Sequence, residues 1–204
     1  MKHGQNMIID LDSLRYNEVL RPVIECLKYS SLAQALTMVE SVSFVHLSKA
    51  YSSSLYNKEN DIIYFEVTSQ KTLITKSHFC RLLGLTSSNA LVYQESISST
   101  ILIEMFYQMG YTGDIALLSK FSKPFLPPIF NGLFTLLFKS FFEQVAGSDN
   151  ASMLLYTLIY GLYHGVVLDF GAILWIHLIQ SSASASCTHK FLVHDFGQSW
   201  SIEL

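Results

Sequence analysis

A mainly α-helical, bundle-like domain of about seven or eight helices with one small β-hairpin is the fold this sequence predicts. Three observations lead there. Apolar residues recur at intervals of three and four through most of the chain, the period of a helix that buries one face. Serine, aspartate, glycine and proline interrupt those stretches where helices start and stop. Only residues 62–75 carry the β-branched and aromatic enrichment of strands.

From the N-terminus, residues 11–40 read as two helices. Asp12 or Ser13 is placed to cap the first, ahead of Leu14, Val19, Leu20, Val23, Ile24 and Leu27. Ser30 or Ser31 is placed to cap the second, which runs through Leu36 to Glu40. Residues 41–56 fit a helix better than a strand, because Phe44, Leu47, Tyr51 and Leu55 keep the three-and-four spacing. The serines at 52–54 weaken that helix, since their hydroxyls compete for backbone groups. A polar break at 57–61 leads into a strand over 62–67, a turn over 69–71 and a returning strand over 72–75. Thr75 or Ser77 then caps a short helix over 78–83 that stops at Gly84.

After a loop at 86–89, Ser98 or Ser99 caps a helix over 101–109 that ends at Gly110. Lys123-Pro124 and Pro127-Pro128 impose an extended connector, because a residue before proline avoids the α region. The apolar heart of the chain follows as three helices over 129–145, 151–163 and 170–181. The expected organisation is one helical domain over 1–182, with the hairpin near 62–75, and an irregular tail over 183–204.

Bulk properties narrow the function. The 204 residues are 50% apolar and only 14% charged, against about 25% charged in an average globular domain. A chain this poor in charge has few groups to solvate its surface, which favours self-association or a protein partner. The formal charge is −3, and no basic stripe is visible. Nucleic acid is therefore unsupported as a partner, since phosphate neutralisation supplies most of such affinity. Cys26, Cys80 and Cys187 are odd in number and widely spaced, which fits a reducing, intracellular setting in cytoplasm or nucleus. Residues 1–12 show no secretory signal, and the sequon Asn150-Ala151-Ser152 has no meaning in such a compartment. Between Lys123 and Lys190 only Lys139, Glu143, Asp149 and Asp169 are charged, which raises the question of a membrane span. The run over 151–167 comes closest to the roughly 20 apolar residues needed, but His164, Gly165 and Asp169 interrupt it. A buried core is the better reading.

No catalytic, cofactor or metal site is expected. His78 and Cys80 stand two apart, so on a helix they point to different faces and do not form a nucleophile with its base. Cys187, His189 and His194 lack the fourth ligand and the paired spacing of a zinc site. Asp114 in Tyr111-Thr112-Gly113-Asp114 has the reverse of the aspartic protease order and reads as a cap for a short helix. Asp149 and Asp169 sit at helix starts, where a carboxylate favours the dipole. Gly147-Ser148-Asp149 has no phosphate-loop pattern. The one candidate interaction feature is Phe130, Phe134, Phe138 and Phe141, a stripe at helical spacing. Core packing is its ordinary use, and a partner surface is the sharper one, because phenylalanine is favoured at the centre of interfaces.

Several strings carry a family resemblance. They are Cys26-Leu27-Lys28-Tyr29-Ser30, Val45-His46-Leu47-Ser48-Lys49-Ala50-Tyr51 and Lys76-Ser77-His78-Phe79-Cys80 with Leu82-Leu83-Gly84. The most distinctive is Phe106-Tyr107-Gln108-Met109-Gly110-Tyr111-Thr112-Gly113-Asp114. It continues to Lys123-Pro124, Leu126-Pro127-Pro128, Asn131-Gly132-Leu133-Phe134 and Leu168-Asp169-Phe170-Gly171. Over residues 11–182 the chain resembles the plant transposon protein domain, found in retrotransposon-derived plant reading frames, often beside a gag-like region. The resemblance implies an element-encoded or domesticated plant protein with no established biochemical activity. The expected role is a non-enzymatic, gag-like or protein-interaction domain, self-assembling in its sharper form through the Phe130 to Phe142 stripe. The alternatives are a nucleic-acid-binding module and a membrane-associated protein using residues 129–180. The resemblance brings no functional residues, and the chain carries no integrase metal triad, polymerase YxDD or protease motif. The tail from Cys187 to Leu204 departs from the expected continuation, which suits a truncated or degenerate copy.

Overall fold

The computed structural model describes residues 8–38, 43–85, 97–142, 153–166 and 168–183 of the chain. Among them are eight α-helices and one three-stranded antiparallel sheet, so the protein is mainly α.

The first helix starts later than its apolar spacing suggests. Asp12 does cap, accepting from the Leu14 amide at 3.2 Å, but what it caps is a single 3-10 turn, Ser13–Arg15. Helix α1, Arg21–Lys28, begins only where Pro22 can sit in the first turn. Proline lacks an amide hydrogen and its ring clashes with the carbonyl four residues back, so no helix runs on through it unbroken. Val23, Ile24 and Leu27 form the buried face of α1. Ser30 links α1 to α2, Ala33–Thr37, by donating to the Leu27 carbonyl at 2.7 Å and accepting from the Leu32 amide at 3.2 Å. The Ile9 amide donates to the Leu36 carbonyl at 3.1 Å and pins the N-terminal segment to α2.

Helix α3, Phe44–Ser52, ends on the serine run. The hydroxyls of Ser52 and Ser53 donate to the Lys49 carbonyl at 3.0 and 2.7 Å, and that of Ser54 to the Tyr51 carbonyl at 2.8 Å. The chain then turns into a strand that the helical spacing concealed. Strand β1, Leu55–Asn57, pairs with β2, Ile62–Val67, which pairs with β3, Gln70–Thr75. The expected hairpin is thus two-thirds of a three-stranded sheet. Its turn is Thr68–Ser69, not 69–71, and both residues take left-handed backbone, with φ of 50° and 67°. Positive φ at both central positions is the mark of a type I′ two-residue hairpin turn.

Thr75 caps α4, Lys76–Leu82, accepting from the His78 amide at 3.2 Å. Gly84, with φ of 68°, stops it, and the Leu85 amide reaches back to the Cys80 carbonyl at 2.8 Å. Helix α5, Ser99–Gln108, repeats that design with a Ser98 cap, Gly110 at φ of 86° and the Tyr111 amide on the Phe106 carbonyl at 3.0 Å. Asp114 starts no helix. It is exposed on the loop, and the next 3-10 turn, Leu118–Lys120, has Leu117 ahead of it. Pro128 opens α6, Pro128–Phe141, and α7, Met153–His164, and α8, Phe170–Ala183, complete the helices. Asp169 caps α8 through the Ala172 amide at 2.8 Å. Apart from Ala183, which closes α8, the expected tail lies outside the described residues. So do the sequon, Gly147-Ser148-Asp149 and the Cys187, His189, His194 group.

The core is continuous, and its centre is aromatic. Phe106 of α5, Phe121 of the connector, Phe134 of α6 and Tyr156 of α7 are all buried. The Phe121 ring lies 4.4 Å from Phe106, 5.2 Å from Phe134 and 5.3 Å from Tyr156 between centroids. Such ring pairs each contribute about 0.5–1.5 kcal/mol beyond the area they bury.

Candidate interaction surface

The phenylalanine stripe divides in two. Phe134 and Phe141 are both 0% exposed, so neither offers ring surface to a partner in this fold. Phe130 and Phe138 are half-buried and pack against the same core. The reason is angular. At about 100° per residue, Phe134 and Phe141 lie close to Leu137 on the inward arc of α6, while Phe138 sits at the arc's margin. Phe130 lies in the first turn, where its ring meets Tyr163 at 5.8 Å. The Lys123 ammonium lies 5.8 Å from the Phe138 ring centroid. As an interface, the stripe keeps only its two outer rings.

The string from Phe106 to Asp114, with its continuation to Asn131, is a structural knot. The Tyr111 hydroxyl accepts from the Ser122 amide and the Tyr107 hydroxyl from the Ile115 amide, both at 3.1 Å. The Thr112 amide donates to the Phe125 carbonyl at 3.0 Å, and the Asn131 side chain donates to the Lys123 carbonyl at 3.1 Å. Gly113 has no room for a side chain, since a Cβ there would lie 2.7 Å from Tyr111 and 3.0 Å from Phe125. These residues satisfy the backbone of an irregular connector, which has no ladder of its own.

Two polar contacts join the sheet and α4 to α8. The Lys76 ammonium pairs with the Asp169 carboxylate at 3.2 Å. Asp61, with left-handed backbone at φ of 52°, accepts on one oxygen from the Trp175 indole at 2.8 Å and the Tyr56 hydroxyl at 2.9 Å. The Trp175 ring also packs on Phe79 at 5.5 Å. Cys80 lies within this junction, its sulfur against Gly171, where a Cβ would collide with it. Burial pushes the Cys80 thiol up from its ordinary value, Asp169 pushes it further, and Lys76 opposes. A thiol held protonated is a poor nucleophile. His78 is on the exposed side of α4. Among the described residues, no group of three or more His, Cys, Asp or Glu could hold a metal ion. No helix among them is long and apolar enough to cross a membrane.

The sheet supplies a feature that helical spacing could not reveal. Its two faces alternate as a pleated sheet demands. Ile63, Phe65 and Ile74 point into the core. On the opposite face, the register sets Leu55 beside Tyr64 and Tyr64 beside Leu73, one residue from each strand in a single row. Their exposures are 68%, 37% and 37%. Directly opposed side chains in an antiparallel sheet have Cβ atoms about 4.5–5.5 Å apart, so the three form one apolar strip. Glu66 and Lys71 face each other on one side, and on the other half-buried Ile62 lies between Asn57 and Thr75. Glu66 is held by Lys49 at 2.9 Å. A turn at 69–71 would set Tyr64 on the face of Thr72 and Ile74; the two-residue turn at Thr68–Ser69 shifts the register and sets it beside Leu73 instead.

No protein family's model, no curated protein and no solved structure matches the chain.

Proposed function

We propose that this protein is a non-enzymatic interaction domain of retrotransposon-derived origin that associates with a second copy of itself through the outer face of its sheet. The observation that carries the proposal is the exposed row Leu55, Tyr64 and Leu73, uncharged along its length, with Glu66 and Lys71 beyond one side and Asn57 and Thr75 at the outer corners of the other. An apolar centre with a polar rim is the usual anatomy of a protein–protein contact. A second copy is the occupant because the chain resembles domains that accompany gag-like regions, whose proteins self-assemble. The chain's low charge points the same way, since a surface with few charges gains by covering itself. Lys71 and Lys49 border the row and both stand beside Glu66, which is too little positive charge to hold a phosphate backbone.

Size-exclusion chromatography with light scattering on detergent-free protein tests this, at low and high salt, with and without RNA. The expected result is a mass that rises above one chain with concentration and ignores salt and RNA. Leu55→Ser with Leu73→Ser should return it to the monomer while a single cooperative melt, at a somewhat lower temperature, shows that it stays folded. A monomer at every concentration overturns the proposal. So does a mass shift that appears only with RNA and reverses with salt, or protein that stays dispersed only in detergent.

A further inference from the structure

We draw no further inference here: the strongest candidate, the aromatic cluster of Phe130, Tyr160, Tyr163 and His164 where α6 begins and α7 ends, is an apolar face with nothing in the structure to show what covers it.

Discussion

Phe134→Ala separates a core role from a partner role most sharply. The side chain is fully buried and its ring meets three others, Phe106 at 5.8 Å, Phe121 at 5.2 Å and Tyr156 at 6.3 Å. Removing it deletes the transfer energy of the ring and leaves a cavity, at a cost of about 3–5 kcal/mol. Domains have about 5–15 kcal/mol to lose. At roughly 2–4 °C per kcal/mol for a chain of this length, the melting temperature should fall by roughly 6–20 °C. Phe138→Ala, at the half-buried margin, should cost about half as much, because less area leaves water there on folding. Urea titrations and thermal melts of the two variants, with elution volume recorded in parallel, give the comparison. A Phe134→Ala variant that melts like the parent while its association changes would show that the ring serves a partner and not the core.

Four other outcomes are expected. Thr68→Asn with Ser69→Gly should raise stability by about 1–2 kcal/mol, because both positions hold positive φ, which Asn-Gly adopts at little cost; a denaturant midpoint that falls would show that the turn is not of this type. Asp61→Ala should cost about 1–3 kcal/mol and shift the Trp175 emission, because two donors lose their acceptor, while Asp61→Asn keeps an acceptor and should lose less; equal losses in the two variants would mean that the hydrogen bonds are not the cause. Cys80 should alkylate more slowly than the exposed Cys26 in native protein and label only at higher pH; equal rates at pH 8 would contradict its burial. The same thiol sets a sign for stability. Its folded pKa is raised, so its contribution is fully present below the unfolded thiol's pKa and is lost as pH rises towards and through the folded value. Parent protein should therefore lose stability above that point faster than Cys80→Ala does, as read from urea midpoints across alkaline pH.

Local signals were legible in the sequence and long-range ones were not. Of the paired candidates Thr75 or Ser77 and Ser98 or Ser99, the first of each caps its helix; Asp169 caps as expected, and Gly84 and Gly110 stop theirs, because a cap or a left-handed stop is decided within a few residues. Pro22 overrode the apolar spacing of 14–27, which a reading by period alone cannot weigh. Strand β1 was hidden because Leu55 continues the spacing of α3, and its three residues are strand only through pairing with β2. The junction at Asp61 joins residues 114 apart, and nothing local announces it. For the stripe on α6, spacing shows that one face is apolar but not what lies against it. The same pattern serves a core and an interface, and here two rings of four went fully inside. The outer row of the sheet was not legible, since a turn at 69–71 sets Tyr64 and Leu73 on opposite faces, and Leu55 joins the row only through β1.

The outer face of the sheet, and not α6, is proposed to meet a second copy. Hydroxyl-radical footprinting of dilute and concentrated protein tests it at single residues, with the exposed Tyr29 and Phe125 as internal references. Tyr64 and Leu73 should lose labelling as the protein assembles while Tyr29 and Phe125 keep theirs. Assembled protein in which Tyr64 labels as it does in the monomer, with protection falling on Phe130 and Phe138 instead, would contradict it.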